Sequence, residues 1–284
     1  MTIVLDGKKI AATILDQIKH KVAMLPEKPF LSIIRCGDDS ASILYTTMKK
    51  KKAEDLGIKA ELQVFSADTP EENIVNYIKD ANLFANGIIV QLPLPPHLDQ
   101  KKILAAIEPE KDVDGLTIHS ALEVMQGNER HAPATPKGIM RLLAEYAISL
   151  AGKHVVVVGR SDLIGKPTAL MALYRDATVS ICHSKTKNLA NHTRQADILI
   201  SAVGKPHFIT ADMIQDSAIV IDVGISQLQG ETRGDIHPDA ARKASFIAPV
   251  PGGIGPMTIA MLLEAVVEAK IYKNEANRKE RGLP

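Results

Sequence analysis

The chain has 284 residues, 45% hydrophobic and 24% charged, a length and composition that fit a soluble globular protein with room for two domains. A formal net charge of +1 gives no electrostatic reason to expect a nucleic-acid or anionic-membrane partner. The opening M-T-I-V-L-D-G-K-K-I lacks the apolar core of a signal peptide, and no apolar run is long enough to span a bilayer. Cys36 and Cys182 both sit in apolar runs and read as buried free thiols, so the expected compartment is the cytoplasm.

Residues 8–24 carry Ile10, Ile14, Ile18 and Val22 at helical spacing, and that helix ends before Pro26. Residues 30–35 read as a strand stopped by Gly37-Asp38-Asp39. Ser40 or Ser42 is placed to cap the next helix, which runs to Leu56 and ends at Gly57. A strand at 59–65, a helix at 71–81 and a strand at 87–91 follow, the last broken by Pro93, Pro95 and Pro96. This β-α-β-α-β order with short connections predicts a parallel α/β sheet. A short helix around 99–107 leads to the loop Asp112-Val113-Asp114-Gly115, and Thr135-Pro136 reads as a cap and first helical residue of a helix to about 147.

Beyond Leu150-Ala151-Gly152-Lys153 a second domain begins on H-V-V-V-V-G-R-S-D-L-I-G-K-P, residues 154–167. Four consecutive valines favour a strand buried on both faces. Gly159 permits a sharp turn, and Gly165 permits close approach of the next helix, whose N-terminal N–H groups favour an anion. The spacing is not G-x-G-x-x-G, so a plain strand–helix turn is the alternative. The following strand, 177–182, ends in His183-Ser184-Lys185-Thr186, where an NAD site places a carboxylate for the ribose 2′-hydroxyl. A basic, hydroxyl-rich end with Arg160 nearby suits a 2′-phosphate, so NADP is expected. Strands at 197–202 and 218–223 complete this domain. A last helix starts after Gly255-Pro256, runs to about 272 and is long enough to return to the first domain, and the polar tail from Asn274 to Pro284 is expected to fray.

Several constellations can carry chemistry. Tyr45 and Lys49 share one helix face at i, i+4, where a lysine beside an aromatic can hold a flat substrate and move a proton if its surroundings lower its pKa. Lys49 also opens a run of four lysines, the pattern of a solvated face. Gln91 stands at the carboxyl end of an apolar strand, where open α/β sheets bind ligands, or else caps local backbone. In Asp112-Val113-Asp114-Gly115 a carboxylate can accept from a heterocycle's N–H groups, or the segment is an ordinary Asx turn. The run from Pro249 to Thr258, with three glycines and three prolines, reads as a stiff loop facing a ligand. His183 is placed to touch cofactor, while His119, His131, His192 and His237 show no metal-ligand spacing, and no metal is expected.

Taken together, the chain resembles the bifunctional methylenetetrahydrofolate dehydrogenase/cyclohydrolase family of bacteria over nearly its whole length. The resemblance is carried by Y-T-T-M-K at 45–49, V-Q-L-P-L-P at 90–95, K-D-V-D-G at 111–115, T-P-K-G at 135–138, V-V-G-R-S-D-L-I-G-K-P, C-H-S-K-T, I-V-I-D-V-G-I and P-V-P-G-G-I-G-P-M-T. It implies an α/β fold of two domains, an N-terminal substrate domain and a Rossmann-like NADP-binding domain with a cleft between them. The boundaries expected are 1–147, completed by the C-terminal helix at about 256–284, and 148–270. The helix near 136–147 and the last helix are expected to join the two.

The implied chemistry is NADP-dependent oxidation of 5,10-methylenetetrahydrofolate to the methenyl cation, then hydrolysis to 10-formyltetrahydrofolate in the same site. By the resemblance, Lys49 is the catalytic amine, Gln91 bonds it, Tyr45 stacks on the folate ring and Asp114 binds the pterin edge. Gly159, Arg160, Ser161, Ser184 and Ile225 lie along NADP, and Pro251, Gly252 and Gly253 border the substrate. Partners are tetrahydrofolate one-carbon derivatives and a second copy of the chain in a homodimer. Ala134 stands where the family often has Cys, a packing change without loss of chemistry. The competing readings are an enzyme with one of the two activities, an NADP-dependent dehydrogenase of a shikimate-like acid, and a non-catalytic NADP-binding scaffold.

Overall fold

The computed structural model describes residues 2–228 and 230–280, with side chains through 274. In chain order its elements are β1 (Ile3–Val4), α1 (Gly7–Met24), β2 (Phe30–Cys36), α2 (Ser40–Asp55), β3 (Lys59–Phe65), α3 (Glu71–Phe84), β4 (Gly87–Val90), α4 (Gln100–Ala105), α5 (Ile118–Met125) and α6 (Ala134–Glu145). There follow β5 (His154–Val158), α7 (Gly165–Leu173), β6 (Thr178–Cys182), α8 (Leu189–Thr193), β7 (Ile198–Ser201), β8 (Ile219–Asp222), β9 (Ser226–Leu228), β10 (Glu231–Arg233), α9 (Pro238–Ala241), β11 (Phe246–Ala248) and α10 (Ile254–Glu280).

Two compact units divide the chain: residues 1–12 with 123–261, and residues 13–122 with 262–284. The larger carries a parallel sheet of order β1-β11-β8-β7-β5-β6 and a small β9–β10 hairpin. Its β5, between β7 and β6, has four fully buried valines, because helices cover a parallel sheet on both faces. The smaller unit holds the parallel sheet β3-β2-β4, with Ile34, Ile88 and Val90 packed among Ile74, Ile78 and Ile103 of α3 and α4. Burial raises the pKa of both thiols, Cys36 and Cys182.

The division differs from the expected boundary at 147/148. β1 pairs in parallel with β11, which draws the first residues into the larger unit, and α6 lies wholly within that unit with Gly138 against Met257. The chain passes between units within α1, at the α5 segment and within α10, so α6 is not a joining helix.

Local departures have local causes. Asp39, not Ser40 or Ser42, caps α2: its Oδ2 accepts from the Ser42 N–H at 2.8 Å, and those bonds hold its carboxyl below the usual range. The helix expected to open at Thr135-Pro136 begins at Ala134 after Pro133, and Thr135 Oγ1 meets Thr258 Oγ1 at 3.0 Å instead. α10 begins at Ile254, with Gly255 and Pro256 inside its first turn, and runs to Glu280 beyond the expected end at 272. The tail is therefore helical through 280, and 281–284 lie outside the described residues. Short β1, β9, β10 and β11 carry no periodicity long enough to read, and were not expected from the sequence.

Candidate active site

In the smaller unit, three side chains converge from three separate segments. Lys49, in the middle of α2, turns its ammonium inward: Nζ donates to Gln91 Oε1 at 3.3 Å and to Asp114 Oδ2 at 3.4 Å. The Lys49 and Asp114 side chains are only 13% and 19% exposed, so this lysine is not part of the solvated face that its run of four suggested. Tyr45, one turn earlier, is exposed and available to a ligand. Gln91 directly follows β4, and its own N–H still bonds Ile34 O at 2.8 Å, so the strand fixes where its side chain starts. Because Gln91 Nε2 donates to Leu92 O at 2.8 Å, its carbonyl oxygen is the atom left facing the lysine.

The two acids of Asp112-Val113-Asp114-Gly115 divide the two roles open to them. Asp112 is 1% exposed and accepts from Leu116 N at 3.0 Å, Thr117 N at 2.8 Å and Ser120 Oγ at 2.6 Å. It is the turn-forming residue. Its backbone also bridges Ile88 of β4 in parallel, and Gly87, with no Cβ, leaves room for Val113, whose methyl carbons stand 2.8 and 2.9 Å from where that Cβ would be. Anchored this way, Asp114 faces Lys49.

In the larger unit, β5, the turn after it and α7 form the expected tight unit. A Cβ on Gly165 would stand 2.3 Å from Gly159 O, and one on Gly159, at φ +136°, would stand 2.6 Å from Ala202 O. Neither position accepts a side chain. Ser161 is engaged within the turn: its Oγ accepts from Ile164 N at 3.2 Å and Gly165 N at 3.3 Å, and its carbonyl accepts from Lys166 N at 3.1 Å. The first N–H groups of α7 are thus held by Ser161 rather than left for a phosphate. Arg160 and Ser184 are exposed, as is Lys185, and no carboxylate stands at the end of β6. That donor set fits a nucleotide with an extra phosphate on its ribose. Ile225 is exposed after β8.

Residues 5–114 match the family model for the catalytic domain of tetrahydrofolate dehydrogenase/cyclohydrolase, and residues 133–274 match that for its NAD(P)-binding domain. The chain belongs to the tetrahydrofolate dehydrogenase/cyclohydrolase family. It is 48% identical over 274 residues to the bifunctional protein FolD of Moorella thermoacetica, covering 94% of this chain and 98% of that one. The crystal structure of the bifunctional FolD enzyme of Campylobacter jejuni superposes with a TM-score of 0.94 at 40% identity, over 96% of this chain and all of that one. The Trypanosoma brucei FolD structure, solved with NADP and an inhibitor, gives a TM-score of 0.90 at 34% identity, over 95% and 98% of the two chains.

Within this family frame, the loop before α10 holds the one clear surprise. The space beside its glycines is partly filled by the chain itself: Gly252 O accepts from Lys8 N at 2.9 Å, and a Cβ on Gly7 would stand 1.9 Å from Gly253 O. Pro251 remains exposed and Gly253 is buried. The sequence reading also passed over Asp112 as an anchor and over Asp222 and Asp235, both buried, although D-V-G and G-D-I flank the hairpin in the sequence.

Proposed function

We propose that this chain oxidises 5,10-methylenetetrahydrofolate with NADP to 5,10-methenyltetrahydrofolate and hydrolyses that cation to 10-formyltetrahydrofolate. The observation that carries the reading is the Lys49–Gln91–Asp114 constellation, with Tyr45 one turn away, in a chain of this family.

NADP, when bound, accepts the hydride. The leaving hydride departs from a carbon between two nitrogens, so the developing cation is already stabilised, and the protein's part is orientation. Gly159, Arg160, Ser161, Ser184 and Ile225 hold NADP, with Arg160 and Ser184 supplying donors for the 2′-phosphate. Tyr45 stacks on the folate ring and Asp114 accepts from the N–H and amino groups of the pterin edge. Pro251 to Gly253 border the substrate. Water then adds to the methenyl carbon and gives one proton to Lys49 Nζ in its neutral amine form. The ring nitrogen takes that proton back from Nζ, the ring C–N bond breaks, and the carbon's hydroxyl releases its proton to solvent as the formyl C=O forms. Gln91 keeps the amine aimed at that carbon through its carbonyl oxygen.

Three further points belong to the same reading. The protein is a homodimer, as a sedimentation run at micromolar concentration checks. The free, buried Cys36 and Cys182 suit a reducing cytoplasm. No described helix is long and apolar enough to cross a membrane.

Absorbance at the methenyl-folate band provides the test. Purified protein with methylenetetrahydrofolate should give a rise with NADP, and added methenyl compound should decay faster with the protein than without it. A rise without faster decay would leave a dehydrogenase alone. No rise with NADP or NAD would remove the reading.

A further inference from the structure

Two carboxylates of the larger unit are buried where the mechanism makes no use of them. Asp235 is 0% exposed and Asp222 is 3% exposed. Asp222 ends β8, after which the chain runs through residues 223–225, out along the β9–β10 hairpin and back to Asp235. The two acids close the base of that excursion. Asp235 N donates to Asp222 Oδ1 at 2.9 Å, and Ile236 N donates to Asp222 Oδ2 at 3.0 Å. Asp235 in turn accepts at Oδ2 from Ser201 Oγ and Val203 N, and at Oδ1 from Lys205 N, each at 2.8 Å.

The glycines beside each acid fit the same scheme. A Cβ on Gly224 would stand 2.0 Å from Asp235 Oδ1, and one on Gly234 would stand 2.0 Å from Asp222 Oδ2. Each carboxylate therefore occupies the space that the glycine on the opposite segment leaves open. The bonds given to either carboxylate among the described residues come from backbone N–H groups or the Ser201 hydroxyl. Such donors fix geometry, where a flexible lysine would only balance charge.

What these bonds fix is the pair of loops at the carboxyl ends of β7 and β8. Ala202 N bonds Val158 O at 2.8 Å, and Ala202 O lies against the Gly159 turn, so the 202–205 loop adjoins the nucleotide turn. Gly204, at φ +66°, places its Cβ direction 3.9 Å from Ile225 O, so the 223–225 loop adjoins it next. In parallel α/β sheets this row of strand ends is where the ligand lies.

We propose that Asp235, seated by Asp222, is a positioning residue for the cofactor: by holding the 202–205 loop against the 223–225 loop it sets the wall that Ile225 presents to NADP. The proposal rests on the reading of this unit as the NADP site. Asp235 touches neither cofactor nor substrate; it acts through the backbone of Val203 and Lys205.

Calorimetric titration of NADP into the purified full-length protein and two variants tests this. Asp235→Asn keeps the size but offers one acceptor oxygen and turns an amide N–H₂ toward backbone donors. It should weaken NADP about tenfold or more, whereas Ser201→Ala, which loses one bond to the same carboxylate, should weaken it about two- to fivefold. The loss should appear in the KM for NADP, with the KM for the folate unchanged. A merely structural role would instead lower the melting temperature and leave the NADP affinity of the folded protein at the parent value, and that outcome overturns the proposal. Should Asp235→Asn fail to fold, Ser201→Ala decides: parent affinity in that variant overturns it equally. Failure of the parent itself to bind NADP would strike the NADP-site reading instead, and is seen before any variant is made.

Discussion

At the scale of single residues, the proposed chemistry depends on which of several like side chains is turned inward. Lys49 differs from Lys50, Lys51 and Lys52 only in its place on α2, which puts Nζ within reach of Gln91 and Asp114. Lys49→Met keeps the length of the side chain and removes the proton carrier. It should lower cyclohydrolase kcat by about 10²–10⁴-fold while folate binding stays measurable, and hydrolysis of added methenyl compound is the assay. Unchanged hydrolysis would take Lys49 out of the mechanism. The i, i+4 spacing of Tyr45 and Lys49 was legible in the sequence; that Asp114 faces the lysine was not. That contact depends on Gly87 admitting Val113 and on Asp112 binding the next turn, and pairings at such separations leave no periodic trace.

Asp222 carries a second prediction at this scale. Burial pushes its pKa up to about 7, against the backbone bonds from Ile236 and Asp235 that favour the charged form. The folded protein thus holds a proton on Asp222 that the unfolded chain has already released, so this group's stabilising share is full below about pH 4 and is lost as pH rises to about 7. Between pH 5 and 8 the parent should lose about 2–3 kcal/mol more than Asp222→Asn, read from urea midpoints at the two pH values. Equal losses in the two proteins would show that Asp222 is ionised throughout.

At the scale of elements, the strand–turn–helix of the larger unit is fixed by two glycines with different reasons to be there. Gly159 takes a backbone angle closed to most side chains, and Gly165 brings α7 against the turn. Gly165→Ala forces its methyl into Gly159 O and should cost about 2 kcal/mol or more, with a matching loss of NADP affinity. Gly152→Ala meets nothing within 4 Å and bears only the strain of its φ of +71°, about 1 kcal/mol. Thermal melts of the two variants, with and without NADP, compare them; similar losses would mean that contact at Gly165 is not what matters. Long buried strands such as β5 were plain in the sequence because four valines in a row have few other homes. The ends of α2, α6 and α10 were not, since a cap is decided by which side chain reaches which N–H. At α2 the carboxylate of Asp39 reaches first.

At the scale of the whole molecule, each unit is assembled from two separated stretches of the chain. α10 contributes Leu262, Leu263, Val266 and Val267, all buried, to the unit that holds Lys49. Leu263→Ala leaves a cavity there and should lower stability by about 2–5 kcal/mol, measured by denaturant unfolding of the full chain with hydrolysis of methenyl compound as the readout of the folded unit. An unchanged midpoint would mean that the site's unit does not depend on the last helix. The two-domain character was readable from the β-α-β order and from the punctuation at Leu150 to Lys153. The division of the first residues from those that follow was not, because a two-residue strand such as β1 shows its allegiance only through its partner.

That partition has a consequence for the chain during its synthesis. Ile3 finds its strand neighbour only when Phe246 has been made, whereas the three strands of the smaller unit's sheet are all made by Val90 and only that unit's share of α10 comes after Leu262. At about 5–20 residues per second, the first residues wait on the order of ten seconds or more after leaving the ribosome. The larger unit's sheet cannot be finished before β11 is made, and a product that terminates before residue 246 lacks the last part of both units. Both units therefore receive their last contacts late, after most of the chain has been translated.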